Sequence, residues 1–359
     1  MTSATANTDL VRGFNMLKPA DLDRLLAEHK DFLDHTRSGK RAVLQSCYLG
    51  QANLANSLLA EADLTGSVLT GSSLKFADFS HATLYCCEMS RIDGRYANFC
   101  HADMRGVTMN GSNLSHARLD GADFRAGRLL ASGSNQTVID RNGSAVGVDF
   151  SYCSLIGASF EGTDLKNANF TGAMIVGSRF NNARLGGARF TGAVLTDVNL
   201  TCLQVPPEAL KDCVLPPSDQ AMANRRQLLF CLNSHQNWIE SDSRRGTCAV
   251  LDGMDLRPVA ADIGKYKLTA FSARNAIATG IDFSCTELQG ANFEGADLRG
   301  ASFEGADLRG VRFKGALLHH AKFLGADMRP LQLKSGDILA SDVSDTAFSA
   351  AQRAEAVFA

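Results

Sequence analysis

The sequence predicts a repeat solenoid, on three observations. Large apolar residues recur at intervals of five, the recurrence holds phase over many repeats, and the whole pattern occurs twice behind a similar helical segment. The stretch 291–313 shows the unit most plainly. Phe293, Leu298, Phe303, Leu308 and Phe313 fall five apart, and Ala291, Ala296, Ala301 and Ala306 each sit two residues earlier. A helix would space its apolar residues by three and four and a strand by two, so neither accounts for a strict five. A fixed period of this kind marks units that bury their apolar faces by stacking on their neighbours.

The unit A-[DN]-[LF]-x-x, as in Ala296-Asp297-Leu298-Arg299-Gly300 and Ala62-Asp63-Leu64-Thr65-Gly66, resembles that of the pentapeptide-repeat proteins. The resemblance covers most of the chain. It implies an all-β-dominated fold, a right-handed quadrilateral β-helix in which one repeat forms one side of a square and four repeats one coil. On activity it is nearly silent. In that geometry the central residue and the small residue before it point inward, and residues twenty apart stack like parallel strands about 4.8 Å apart. Asn and Asp before the centre suit side-chain bonds to backbone, and Gly suits the corners.

In chain order, residues 1–18 read as a flexible tail. From Pro19 the spacing of Leu22, Leu25, Leu26, His29, Phe32 and Leu33 is that of an amphipathic helix ending near 35–39, with proline in its first turn. The fives begin at Leu44 and run to Leu129, with Leu, Phe or Met in 17 of 18 central slots. The exception, Gly94, shares its repeat with an oversized Ile92, which implies an exchange of volume inside the coil. Between Leu129 and Phe150 the phase slips by one residue. An insertion near 130–149 is expected, either a projecting hairpin turning at Asn142-Gly143 or a distorted coil. Its candidate interaction residues are Ile139, Asp140, Arg141, Asn142 and Gly143, since projections from a solenoid are common binding elements.

The second series runs from Phe150 to Leu200 and stops at Pro206-Pro207; Pro216-Pro217 follows. Proline has no backbone donor for a ladder, so 206–218 reads as a linker between a module at 19–205 and a second at 219–359. In the second, His235, Trp238, Gly246 and Leu251 match His29, Phe32, Gly39 and Leu44 with one residue inserted. Each helix is expected to cap the first coil, where unpaired backbone and apolar side chains would otherwise meet water. His29, Phe32, His235 and Trp238 are its packing residues. Central positions resume at Leu268 after a disturbed stretch at 257–264 and keep phase through Leu333, Ile338 and Val343 to Phe348. The Ala-rich end reads as a short helix over the last coil or as a fraying tail.

A net charge of -2 argues against direct nucleic-acid binding. No membrane-length apolar run or secretory signal is visible, and the 10 cysteines lack paired metal spacing, so the expected setting is a reducing cytoplasm. His81 and His101 fall twenty apart, one coil below Glu61, in an arrangement more economically read as a ladder than as a zinc site. Glu287, Asp307 and Asp327 form an acidic column beside Arg309 and Arg329, which reads as a salt ladder. No nucleophile elbow or phosphate loop is present, so no enzyme, cofactor or metal is expected.

The function expected is a non-catalytic scaffold for an unknown protein partner. The resemblance adds a DNA-mimicking inhibitor of gyrase or another topoisomerase as an alternative, and the polar N-terminus adds a secreted bacterial effector. A homodimer through an uncovered β-helix end is a further arrangement the fold allows.

Overall fold

The computed structural model describes residues 14–130 and 138–358. The chain divides into two compact units at Pro216/Pro217, each with its own apolar core. In the first unit Val43, Asp63, Thr83, Asp103 and Asp123 form parallel bridges in succession, each twenty residues from the next. The same interval joins Ser272 to Asn292 and Arg312 in the second. Four five-residue sides therefore make one coil. Every side gives and takes bonds with its neighbours: Leu64 N–H donates to Thr83 O at 2.8 Å, and Asp63 N–H to Ala42 O at 3.0 Å.

The corner follows from the same repeat. After the central residue the chain turns back, and Ala62 N–H donates to Leu59 O at 3.1 Å. The residue two past the centre takes a left-handed backbone, with φ of +69° at Gly66 and +56° at His81. Glycine adopts this freely, and Asn and His tolerate it better than branched residues do. Inside, the central residue and its small companion are buried, as at Leu64 and Ala62. Phenylalanines twenty apart stack: Phe283 on Phe303 at 5.3 Å and Phe303 on Phe323 at 5.2 Å. At Gly94 a Cβ would come 2.6 Å from Leu114 Cδ2, while Ile92 is buried beside it, so the exchange of volume is seen directly.

Four expectations are corrected. The tail at 1–18 lies outside the described residues as far as residue 13, but Asn15–Met16 pairs in parallel with Cys47–Tyr48 and Leu17 packs on the core. Leu129 is not a central residue. Gly127–Leu130 pairs antiparallel with Val138–Arg141, and Ala145 takes the next central slot. Bridges across this point join residues thirty-six apart, such as Thr108 and Ser144, so sixteen residues are looped out of a twenty-residue coil. Leu333 and Ile338 are not inward either. Leu331–Gln332 pairs antiparallel with Ile338–Leu339, and Ile338 is 72% exposed. Finally, the Pro-rich linker continues the ladder by one rung: Val214 bridges Val194 and donates to Ala193 O at 2.8 Å.

The ends of both units carry non-repeat segments. Pro19–Leu33 is a helix with Leu22, Leu25 and Leu26 against the first core, and Leu200, Val205 and Leu210 pack at the other end of the first unit's repeats. Arg225–Glu240 buries Leu228 and Leu232 in the second core. Ala350–Glu355 is a helix closed by a Ser349/Gln352 capping box, and the Gln352 amide donates to Leu318 O and Ala321 O at 2.8 Å each. The stretch 257–264 is a helical turn, Ala260–Ile263, that adds two residues to a coil, since Val250 bridges Ser272.

Candidate functional site

The repeats fix every backbone position, so functional side chains are found on the outer faces, at the corners and in the insertions. The first hairpin leaves the coil after Ala126 and returns at Gly143. Its base is held at several points. Tyr85 Oη accepts from Arg128 N–H at 2.6 Å and donates to Arg128 O at 2.9 Å, while the Arg105 guanidinium lies 5.1 Å over the Tyr85 ring. Arg141 Nη1 donates to Cys86 O at 3.4 Å. Gly143 passes so close to the preceding coil that a Cβ there would fall 2.4 Å from Phe124 O.

This settles the geometry of the candidate insertion residues. Asn142-Gly143 is the hairpin's point of return to the coil and not its turn; residues 131–137 lie outside the described residues. Ile139 pairs through its backbone with Leu129, and Asp140 meets Arg128 at 2.9 Å with both side chains largely exposed. An ion pair in that setting contributes about 0–1 kcal/mol. Beside the hairpin base is an open depression of about 430 Å³, lined by Arg105, Arg125, Ala126, Glu161, Gly162 and Asn182. Its arginines are already held by Asp103 and Asp123, at 2.7 Å in each case. Cys86 is buried beneath the base, and burial pushes its thiol up, away from nucleophilic chemistry.

Sequence reasoning missed a second outward feature. Phe76, Tyr96, His116 and Tyr152 occupy one corner on successive coils, and their rings stack at 5.1, 4.8 and 5.1 Å. Phe76 and Tyr96 are 58% and 48% exposed. The signal was available: each residue lies two past a central position, twenty apart, or thirty-six across the hairpin. The stack runs on to Gly172, where a Cβ would sit 2.5 Å from the Tyr152 ring. The next corner carries His81 and His101, stacked at 5.0 Å.

His29 and His235 lie on the inner sides of their helices, wholly buried. His29 Nδ1 accepts from Ala42 N–H at 3.0 Å, and its Nε2 lies 2.9 Å from Ala60 O. His235 Nδ1 accepts from Ala249 N–H at 3.1 Å. Phe32 and Trp238 stack on the two imidazoles, each at 5.6 Å.

The acidic column of the second unit is paired with basic side chains. Asp307 and Asp327 bridge in one column with Glu287, and each meets the arginine two residues on, Arg309 at 2.6 Å and Arg329 at 2.7 Å. Glu287 meets Lys267 at 3.0 Å. Among the described residues no three His, Cys, Asp or Glu side chains are arranged to hold a metal, and no helix is long and apolar enough to cross a membrane.

The family profile for pentapeptide repeats matches in eight copies over residues 47–85, 87–125, 146–182, 176–204, 267–300 and 296–329, more than half of the chain. No curated protein sequence gives a significant match. Among solved structures, HetL of the cyanobacterium Nostoc, a pentapeptide-repeat protein involved in heterocyst differentiation regulation, is 19% identical over 92% of this chain and 94% of its own, with a TM-score of 0.21. QnrB1, a plasmid-mediated fluoroquinolone resistance protein, is 20% identical over 52% of this chain and 96% of its own, with a TM-score of 0.29. Rfr23 of the cyanobacterium Cyanothece is 18% identical over 48% and 88%, with a TM-score of 0.17. Superpositions this loose say nothing about function.

Proposed function

We propose that this chain, which belongs to the pentapeptide-repeat family, is a non-catalytic scaffold that binds a protein partner through side chains and insertions carried on two β-helical modules. The observation that carries this reading is the first hairpin. It loops sixteen residues out of a coil whose ladder closes without them, yet its base is tied down through Tyr85, Arg141 and Gly143. A segment the fold does not need, held in one place, suits recognition better than tolerance of a random insert. In this reading Ile139, Asp140 and Arg141 form the hairpin's presenting strand, and the helices bearing His29, Phe32, His235 and Trp238 act as caps on right-handed coils of square section.

Removing residues 127–142 joins Ala126 to Gly143 and restores the twenty-residue interval. Full-length and shortened chains should give the same β-rich circular dichroism. A partner recovered from the native cell extract should be retained by the full-length chain and lost by the shortened one. Equal recovery by both would remove the hairpin from the reading.

Mimicry of DNA has less support, because regular negative charge must be left unpaired to imitate phosphates, and the acidic column is matched by Lys267, Arg309 and Arg329. A supercoiling assay with purified gyrase decides it, with no inhibition expected at micromolar protein. A cytoplasmic setting rests on the sequence alone, in which ten cysteines lack paired metal spacing and no secretory signal is visible. A secreted effector rests on the polar N-terminus alone.

A further inference from the structure

The two buried histidines present nothing to a partner, and their bonding is unusual for a group that titrates near neutrality. Each imidazole uses Nδ1 as an acceptor for a backbone N–H of the first coil, Ala42 for His29 and Ala249 for His235. That bond requires a neutral ring with Nδ1 unprotonated. For His29 the proton then lies on Nε2, which donates to Ala60 O. His235 Nε2 faces the Thr269 backbone without a bond of good geometry. Protonation of Nδ1 would set one N–H against another at a fully buried site, where the mismatch carries its whole cost. Both imidazoles sit where a helix meets the start of a β-helix, and both are backed by an aromatic ring.

We infer that each helix is an acid-released latch: protonation of His29 and His235 breaks the helix-to-coil bond and frees the helices from the first coils. The inference rests on reading the helices as caps. Burial pushes both imidazoles below the ordinary value of 6.5. At His29 the Ala60 carbonyl and Glu61 act against burial and Arg41 acts with it; at His235 only the Thr269 backbone opposes it. The released form therefore binds more protons below 6.5. The attached form is fully favoured above that pH and loses ground as pH falls, by up to about tenfold per pH unit for each histidine.

Hydrogen exchange on the full-length chain from pH 7.5 to 5.0, corrected for intrinsic rates, tests this. Amides of 19–33 and 225–240 should open progressively while coil amides at 60–120 stay protected. Emission of Trp238, the single tryptophan, should shift red over the same range. His29→Asn with His235→Asn supplies a neutral acceptor at every pH and should flatten both profiles. Helix protection that is unchanged from pH 7.5 to 5.0, loss of coil protection in parallel, or an Asn variant with the wild-type profile would each overturn the latch. Helices already open at pH 7.5 would overturn the cap reading itself.

Discussion

Corner residues must be carried on a left-handed backbone, and the cost of a side chain there depends on what passes outside. Gly325 and Gly310 both have φ of +67°. Around Gly325 a Cβ would meet nothing within 4 Å, whereas at Gly310 it would fall 2.9 Å from Leu331 Cβ and 3.0 Å from Leu339 Cδ2. Gly325→Ala should therefore cost about 1–2 kcal/mol, the left-handed penalty alone. Gly310→Ala should cost more, because the second hairpin has to move. Urea unfolding midpoints of the two variants check the order. Inside the coil the limiting quantity is ring packing. Phe303 stacks on Phe283 and Phe323 and meets Phe293 and Phe313 edge-on, so Phe303→Ala should lose about 3–5 kcal/mol in the same measurement.

For the elements, the arithmetic of five decides what an insertion does to the pattern. The second hairpin adds ten residues, since Arg312 bridges Asp342 thirty apart. Ten is two whole repeats, so the central series passes through it in phase and its exposed Leu333 and Ile338 imitate inward residues. The first hairpin adds sixteen, one more than three repeats, and so the slip is visible. Removal of 329–338 should leave cooperative unfolding intact, whereas removal of 329–337 leaves one residue too many and turns the following inward residues off the core. Thermal unfolding should show the nine-residue deletion to be the less stable of the two. An equal stability would mean that the final coil contributes little.

Across the whole molecule, the two apolar cores are separate, and each has a helix before its repeats and apolar residues after them packed against it. Stability in stacked repeats is close to a sum over neighbours, so a unit that contains its full set of neighbours should fold alone. A fragment of residues 217–359 should unfold cooperatively, with Trp238 emission matching that of the full-length chain at neutral pH. A fragment that is unfolded, or whose tryptophan is water-exposed, would show that its core depends on the rest of the chain.

The repeat unit, the inward residues of the uninterrupted coils, the duplicated helix with its histidine, and the Gly94/Ile92 exchange were legible in the sequence, because a period of five leaves one inward face and side chains must fill it. The stacking of His81 on His101 and the pairing of Asp307 with Arg309 followed from the same count. Two things were decided only by tertiary structure, the course of the hairpins and the rung at Val214, whereas Phe76, Tyr96 and His116 stood at the readable interval of twenty. Both depend on how the coil resumes across interruptions whose length the local pattern does not record. Leu333 and Ile338 show the reason most directly, since an apolar residue at the right interval looks inward in sequence whether or not a coil is there to receive it.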